Sequence, residues 1–193
     1  MKPNNRELGT CYYPEHWPED LWQTDAEQMI NLGLKWVRIG EFSWSRLEPK
    51  ENEFSFEWLD RAIETLGKVG LSIILGTPTA TPPTWVIKKY PDMLALDADG
   101  RQRGFGSRRH YCFSHEGYRN QCSKIVRKLA ERYGSNLYIQ AWQTDNEYGC
   151  HDTTISYSSS ALKSFQSWLA KIYGNDVNKL NEEWGNVFWS MEY

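Results

Sequence analysis

The run Trp142-Gln143-Thr144-Asp145-Asn146-Glu147-Tyr148-Gly149 sets two carboxylic acids, an amide and an aromatic ring side by side at the end of an apolar stretch. Cleavage of a glycosidic bond takes one protonated carboxyl to deliver a proton to the leaving oxygen. It takes a second carboxylate about 5 to 5.5 Å away when configuration is retained. Glu147 suits the first role: a strand end holds it rigidly, and burial among aromatic rings raises its pKa into the useful range. The amide of Asn146 is placed to hydrogen-bond a sugar 2-hydroxyl as charge develops at the reacting carbon.

Three earlier apolar stretches end on residues of the same kind. The first delivers Tyr12, Tyr13 and Glu15, the second Arg38, Glu41, Phe42 and Trp44, and the third Thr77, Thr79 and Trp85. Tyr12, Tyr13, Phe42, Trp44 and Trp142 thereby stand where a sugar could meet them. Buried charges are paired in folded proteins, so Arg38 and Glu41 also read as salt-bridged residues of the scaffold. Trp22, Trp58 and Trp168 recur at helical spacing and read as core.

Positioning these residues takes alternating strands and helices. Leu8 to Tyr13 reads as a first strand, Asp20 to Leu32 as a helix with Trp22, Ala26, Met29 and Ile30 on one face, and Gly33 as its stop. Trp36 to Gly40 reads as a buried strand, Phe56 to Val69 as a helix, and Leu71 to Gly76 as the third strand. A long turn-rich loop follows from Thr77 to about Gly117, with a short helix at Trp85 to Lys89. Gln121 to Tyr133 is the next helix, Tyr138 to Gln143 the fourth strand, and Ala161 to Tyr173 a last helix before a polar tail.

Four such repeats call for parallel strands with crossover helices. A doubly wound sheet would carry a glycine-rich phosphate loop after the first strand, but that turn is Tyr13-Pro14-Glu15-His16-Trp17-Pro18. An eight-stranded (β/α)8, or TIM, barrel instead gathers its chemistry at the carboxyl ends of its strands, where the unusual residues cluster here. The expected fold is therefore about the first four β/α units of such a barrel.

The chain has 193 residues, 15% of them aromatic, and a net charge of −3. That charge gives no basic field for a nucleic-acid partner, and no run approaches the 18 or so apolar residues of a membrane span. The first nine residues are polar, and Cys11, Cys112, Cys122 and Cys150 are scattered without a CxxC pair. Both point to reduced thiols and a cytoplasmic protein.

Five blocks, in order, resemble the successive signatures of glycoside hydrolase family 42, the β-galactosidases. They are Tyr12 to Trp17, Val37 to Ser45, Pro78 to Pro83, Gly104 to Cys112 and Asp145 to Gly149. The resemblance covers nearly the whole chain. It implies a retaining exo-acting enzyme that releases terminal β-D-galactose, with Glu147 as acid/base, Asn146 and Arg108 as galactosyl contacts, and Arg38 beneath the reacting sugar near the nucleophile. It also implies a small-molecule galactoside as partner and a homotrimeric complete enzyme.

Two departures bear on those expectations. Many family members bind a structural zinc through a cysteine at the position of Cys112 and a Cys-x-Cys-x-x-Cys run after the acid/base. Here Ser156, Ser158 and Ala161 occupy that run, so no zinc or other cofactor is expected. The chain also stops near where a fifth strand should begin, before the family's nucleophilic glutamate on the seventh, and Glu41 is not assigned that role. Residues 1–193 then read as the amino-terminal half of a glycosidase barrel, inactive alone. A non-catalytic sugar-binding half-barrel and a barrel glycosidase for another glycan, such as an α-arabinopyranoside, are the alternatives. A free half-barrel would expose its first and fourth strands, and Tyr138 to Gln143 carries no proline or lysine to blunt that edge.

Overall fold

The computed structural model describes residues 6–106, 109–150, 154–186 and 188–189. Four strands, β1 (Leu8–Cys11), β2 (Leu34–Ile39), β3 (Ser72–Gly76) and β4 (Ile139–Gln143), form one parallel sheet in the order β1-β2-β3-β4. This sequential order has no reversal point of the kind a doubly wound sheet uses to bind its ligand. Register places Cys11 beside Arg38, and Leu75 beside both Ile39 and Trp142, so the carboxyl ends of all four strands form one rim.

The helices are α1 (Trp22–Asn31), α2 (Trp44–Leu47), α3 (Glu57–Lys68), α4 (Thr84–Lys89), α5 (Glu116–Tyr133), α6 (Ser159–Ile172) and α7 (Val177–Trp184). Their apolar faces explain the core. Trp22 and Ala26 of α1, Leu59, Ala62, Ile63 and Leu66 of α3, and Ile125 and Leu129 of α5 are buried with Val37, Ile39, Ile73 and Leu75 from the strands. Burial of the Leu, Ile and Val side chains among them contributes about 1.5–3 kcal/mol each, which is why apolar spacing marks the helical repeat.

Several boundaries move for local reasons. Helix α5 begins at Glu116, five residues before its expected start, because the His115 imidazole accepts the backbone N–H of Tyr118 and supplies an N-cap. The expected polar tail contains α7. Asp176 accepts the N–H groups of Asn178 and Lys179, Leu180 is buried, and Gly185 ends the helix in the left-handed conformation. The long loop after β3 is organised by α4, by 3-10 turns at Pro78–Ala80 and Pro91–Met93, and by antiparallel bridges pairing Leu94 with Tyr111 and Leu96 with Gln102.

Trp22 and Trp58 are core residues, as expected, but Trp168 is 54% exposed. It lies on α6 with exposed Leu162, Phe165 and Ile172, a stripe that no described residue covers, while Leu169 alone on that helix is buried. The spacing correctly marked an amphipathic face; what it could not show is that this face has no neighbour among the described residues. The same holds for the outer edges of β1 and β4, which pair with nothing among them.

One close approach fixes how α3 meets the start of β4. A Cβ on Gly67 would lie 2.2 Å from Cγ of Tyr138. Alanine ordinarily stabilises a helix interior by about 1 kcal/mol over glycine, whereas overpacking costs about 1–3 kcal/mol. Gly67→Ala should therefore lower stability, read as a lower denaturant midpoint at unchanged slope. A raised midpoint would show that α3 and Tyr138 are not in contact.

Candidate active site

At the end of β4 the chain turns through Asp145 and Glu147, whose φ values of 56° and 50° lie in the left-handed region that L-residues take at a cost. Hydrogen bonds hold the turn. The buried Asp145 carboxylate accepts the backbone N–H of Asn146 at 2.6 Å, the Thr79 hydroxyl at 2.8 Å and Arg109 Nη1 at 3.2 Å. Its own N–H donates to the Thr77 hydroxyl at 2.7 Å, and its carbonyl accepts Gln143 Nε2 at 2.7 Å.

The turn presents Asn146 and Glu147 to a cavity of about 310 Å³, near the lower limit for small-ligand sites. Phe42, Pro82, Phe105, Arg109, His110 and Cys150 complete much of its wall. Asn146 is buried and its Oδ1 accepts Gln143 Nε2 at 3.1 Å, which fixes the orientation of the amide. Glu147 lines the cavity but is exposed, contrary to the expectation that aromatic rings bury it. Tyr148, the nearest ring in sequence, is itself exposed.

Arg38 lies on the adjacent rim, and both terminal nitrogens of its guanidinium have protein partners, while Nε is buried without one among the described residues. Nη1 donates to Gln143 Oε1 at 2.8 Å, and Nη2 pairs at 2.8 Å with Glu41, which is 0% exposed. Gly76 makes room for this pair: a Cβ there would lie 2.6 Å from Cβ of Glu41. Glu41 is thus the salt-bridged residue that its type suggested, and neither it nor Arg38 lines the cavity that holds Glu147. Through Gln143, however, Arg38 is linked to the Asn146 amide.

Arg108 falls outside the described residues. Arg109 beside it is 2% exposed and lines the cavity, with its guanidinium over the rings of Phe113 and Tyr148 at 5.4 and 5.5 Å. Its Nε and Nη2 are buried without an oxygen or nitrogen acceptor among the described residues, and the Cys150 thiol, which lines the same cavity, interacts with its guanidinium. The sequence reading passed over Arg109 because spacing alone does not separate two adjacent arginines. The doublet itself was the available signal.

Of the rings expected to meet a sugar, Phe42 lines the cavity and stacks on Tyr13 at 6.0 Å. Tyr12 and Trp44 do not serve that way. Tyr12 is buried and donates to Asp25 of α1, while Trp44 is fully buried and donates to Glu48. Both point into the scaffold because each has a polar partner there that satisfies its donor. Trp142 is partly exposed on β4 and does not line the cavity.

The positions implied for a zinc site do not supply its ligands. Cys112 is buried, but the Ser156 hydroxyl accepts the N–H groups of Leu96 and Ser158, and the Ser158 hydroxyl caps α6 by accepting the N–H of Ala161. Hydroxyls engaged in this way are no substitute for thiolates. Among the described residues no cluster of three or more His, Cys, Asp or Glu could hold a metal ion.

Glu15, at the end of β1, has both carboxylate oxygens buried, and burial pushes its pKa above the ordinary carboxylate value. A raised folded-state pKa means that the folded chain binds the proton more tightly. Its contribution to stability is present at acid pH and is lost as pH rises through the folded value. Glu15→Gln should therefore raise the melting temperature at pH 7, with the gain shrinking as pH falls to 4. A gain independent of pH would show that the carboxylate charge is not what the fold opposes.

The family model for glycoside hydrolase family 42, described as "Beta-galactosidase", matches residues 11–193. A β-galactosidase of Thermus thermophilus is 52% identical over 96% of this chain, which covers 29% of that relative. A crystal structure of the β-galactosidase from the psychrophilic Marinomonas ef1 superposes with a TM-score of 0.93 at 55% identity, covering 97% of this chain and 28% of that one. The β-galactosidase of the Antarctic haloarchaeon Halorubrum lacusprofundi superposes with a TM-score of 0.90 at 48% identity, again over 97% of this chain and 28% of that structure. The chain thus spans less than a third of the length of these relatives, and its parallel sheet is part of their TIM barrel. By sequence and by structure, this chain belongs to glycoside hydrolase family 42.

Proposed function

We propose that the chain is the acid/base-bearing, amino-terminal part of a retaining β-galactosidase that removes terminal non-reducing β-D-galactose. One observation carries this reading: Glu147, Asn146 and Arg109 line a single cavity at the carboxyl rim of the sheet. Arg109 and Asn146 hydrogen-bond hydroxyls of the galactosyl ring, with Arg108 a further contact and Arg38 supporting the floor through Gln143. Glu147 protonates the aglycone oxygen while a carboxylate outside residues 1–193 attacks the anomeric carbon. The C–O bond to the aglycone breaks as the glycosyl-enzyme ester forms. Glu147 then takes a proton from water, whose oxygen attacks the anomeric carbon and releases galactose and the free carboxylate.

The apolar stripe of α6 and the open edge of β4 support a longer chain, since further β/α units of a barrel would cover both. The complete enzyme is read as a cytoplasmic homotrimer acting on a small galactoside. The location rests on four cysteines that form no disulfide. The trimer rests on membership of the family. Among the described residues no helix is long and apolar enough to cross a membrane.

In the full-length enzyme, Glu147→Ala should reduce kcat/KM for a methyl β-galactoside by about 10²–10⁴-fold, the usual contribution of general acid catalysis. The first step with a nitrophenyl β-galactoside, whose leaving group needs little protonation, should lose far less. Equal losses on both would remove Glu147 from the acid role. The 193-residue chain alone should release no nitrophenol above background. Release that depends on Glu147 would show that no carboxylate from outside these residues is needed.

A further inference from the structure

Asp145 is the one carboxylate of the Asp-Asn-Glu run that the chemistry above leaves without a task. It is 5% exposed and does not line the cavity that holds Glu147, so it is shielded from a bound sugar. Its bonds nonetheless reach two residues of the cavity wall, Asn146 and Arg109. One oxygen accepts both the Asn146 N–H and Arg109 Nη1, and the other accepts the Thr79 hydroxyl. Arg109, Thr79 and Asn146 belong to three loops that are far apart in sequence, and this carboxylate is where they meet.

We propose that Asp145 is a positioning residue of the glycosidase site, an inference that rests on the reading of Glu147 as the acid/base. It does two things. Its shape holds the left-handed turn that aims Glu147, by accepting the Asn146 backbone N–H and the Thr79 hydroxyl. Its charge anchors Arg109, paired at 3.2 Å, in the cavity wall that also carries Glu147, the only carboxylate among the described residues lining that cavity. An Arg109 released from Asp145 loses its fixed place in the cavity wall beside Glu147 and Asn146.

The test is made in the full-length enzyme with Asp145→Asn, which keeps size and an acceptor but removes the charge, and with Thr79→Val, which removes one hydrogen bond and keeps the pair with Arg109. Melting temperature, kcat and KM are measured for each variant on a methyl and a nitrophenyl β-galactoside. A folded Asp145→Asn variant should lose about 10²-fold in kcat/KM on the methyl glycoside, the scale of a 1 Å misplacement, and clearly less on the nitrophenyl glycoside. Its KM should rise on both as Arg109 loses its orientation, and Thr79→Val should show the same graded pattern at smaller size. Wild-type rates on both substrates, or equal losses on both, overturn the proposal. If Asp145→Asn does not fold, Thr79→Val decides alone: a graded loss supports the proposal, and no loss or an equal loss overturns it. A wild-type enzyme whose activity does not depend on Glu147 would instead overturn the reading of the site itself.

Discussion

A buried carboxylate and a buried guanidinium cannot be left apart. Each costs several kcal/mol to take out of water, and the cost is offset only by good geometry and further hydrogen bonds. At the rim of the sheet Asp145 meets that condition, while its partner Arg109 keeps two buried nitrogens without an oxygen or nitrogen acceptor among the described residues. Their side chains are 6% and 2% exposed, and the remaining acceptor capacity of Asp145 is taken by Thr79 and by the backbone of Asn146. The rim of the sheet is organised around this pair. Two non-glycine residues close together in the left-handed region would relax without it, and the loop that carries Arg109 would have no polar anchor against β4.

A second, independent anchor lies one strand over. Arg38 binds Glu41 on its own strand-end turn and Gln143 at the end of β4, and Gln143 in turn binds both the Asp145 carbonyl and the Asn146 amide. The two anchors meet at Gln143. They make the polar floor rigid before any ligand arrives, so that donors and acceptors need not reorganise on binding. The apolar helices beneath supply the stability that lets such a floor exist: the packed core of α1, α3 and α5 keeps the strand ends in register.

What the sequence revealed follows from the range of the forces involved. Helices and strands that bury an apolar face left a period in the chain, so α1, α3, α5 and the four strands could be read directly, along with the rim on which Glu147 and Asn146 sit. Capping by His115 and the αL stop at Gly185 are weaker local signals, and they set the start of α5 and the end of α7. Tertiary facts left no such trace. Nothing in the spacing told Arg109 from Arg108, turned Tyr12 and Trp44 inward, or showed that the face bearing Trp168 lies open. The exposure of Glu147 belongs to the same group, since burial at a rim is set by loops far away in the chain. Asp145 was visible as a residue type, but its role depends on Thr79 and Arg109, which only the fold brings to it.

As the proposed acid/base, Glu147 should face a second carboxylate across a galactosyl unit held by Asn146 and Arg109. A crystal structure of the full-length enzyme with bound galactose measures this directly. The anomeric carbon should lie between Glu147 and another carboxylate about 5 to 5.5 Å away, as retention of configuration requires, with Asn146 and Arg109 within hydrogen-bonding distance of ring hydroxyls. A separation of about 6.5 to 9.5 Å would mean inversion, and a galactose seated away from Glu147 would remove Glu147 from the acid/base role.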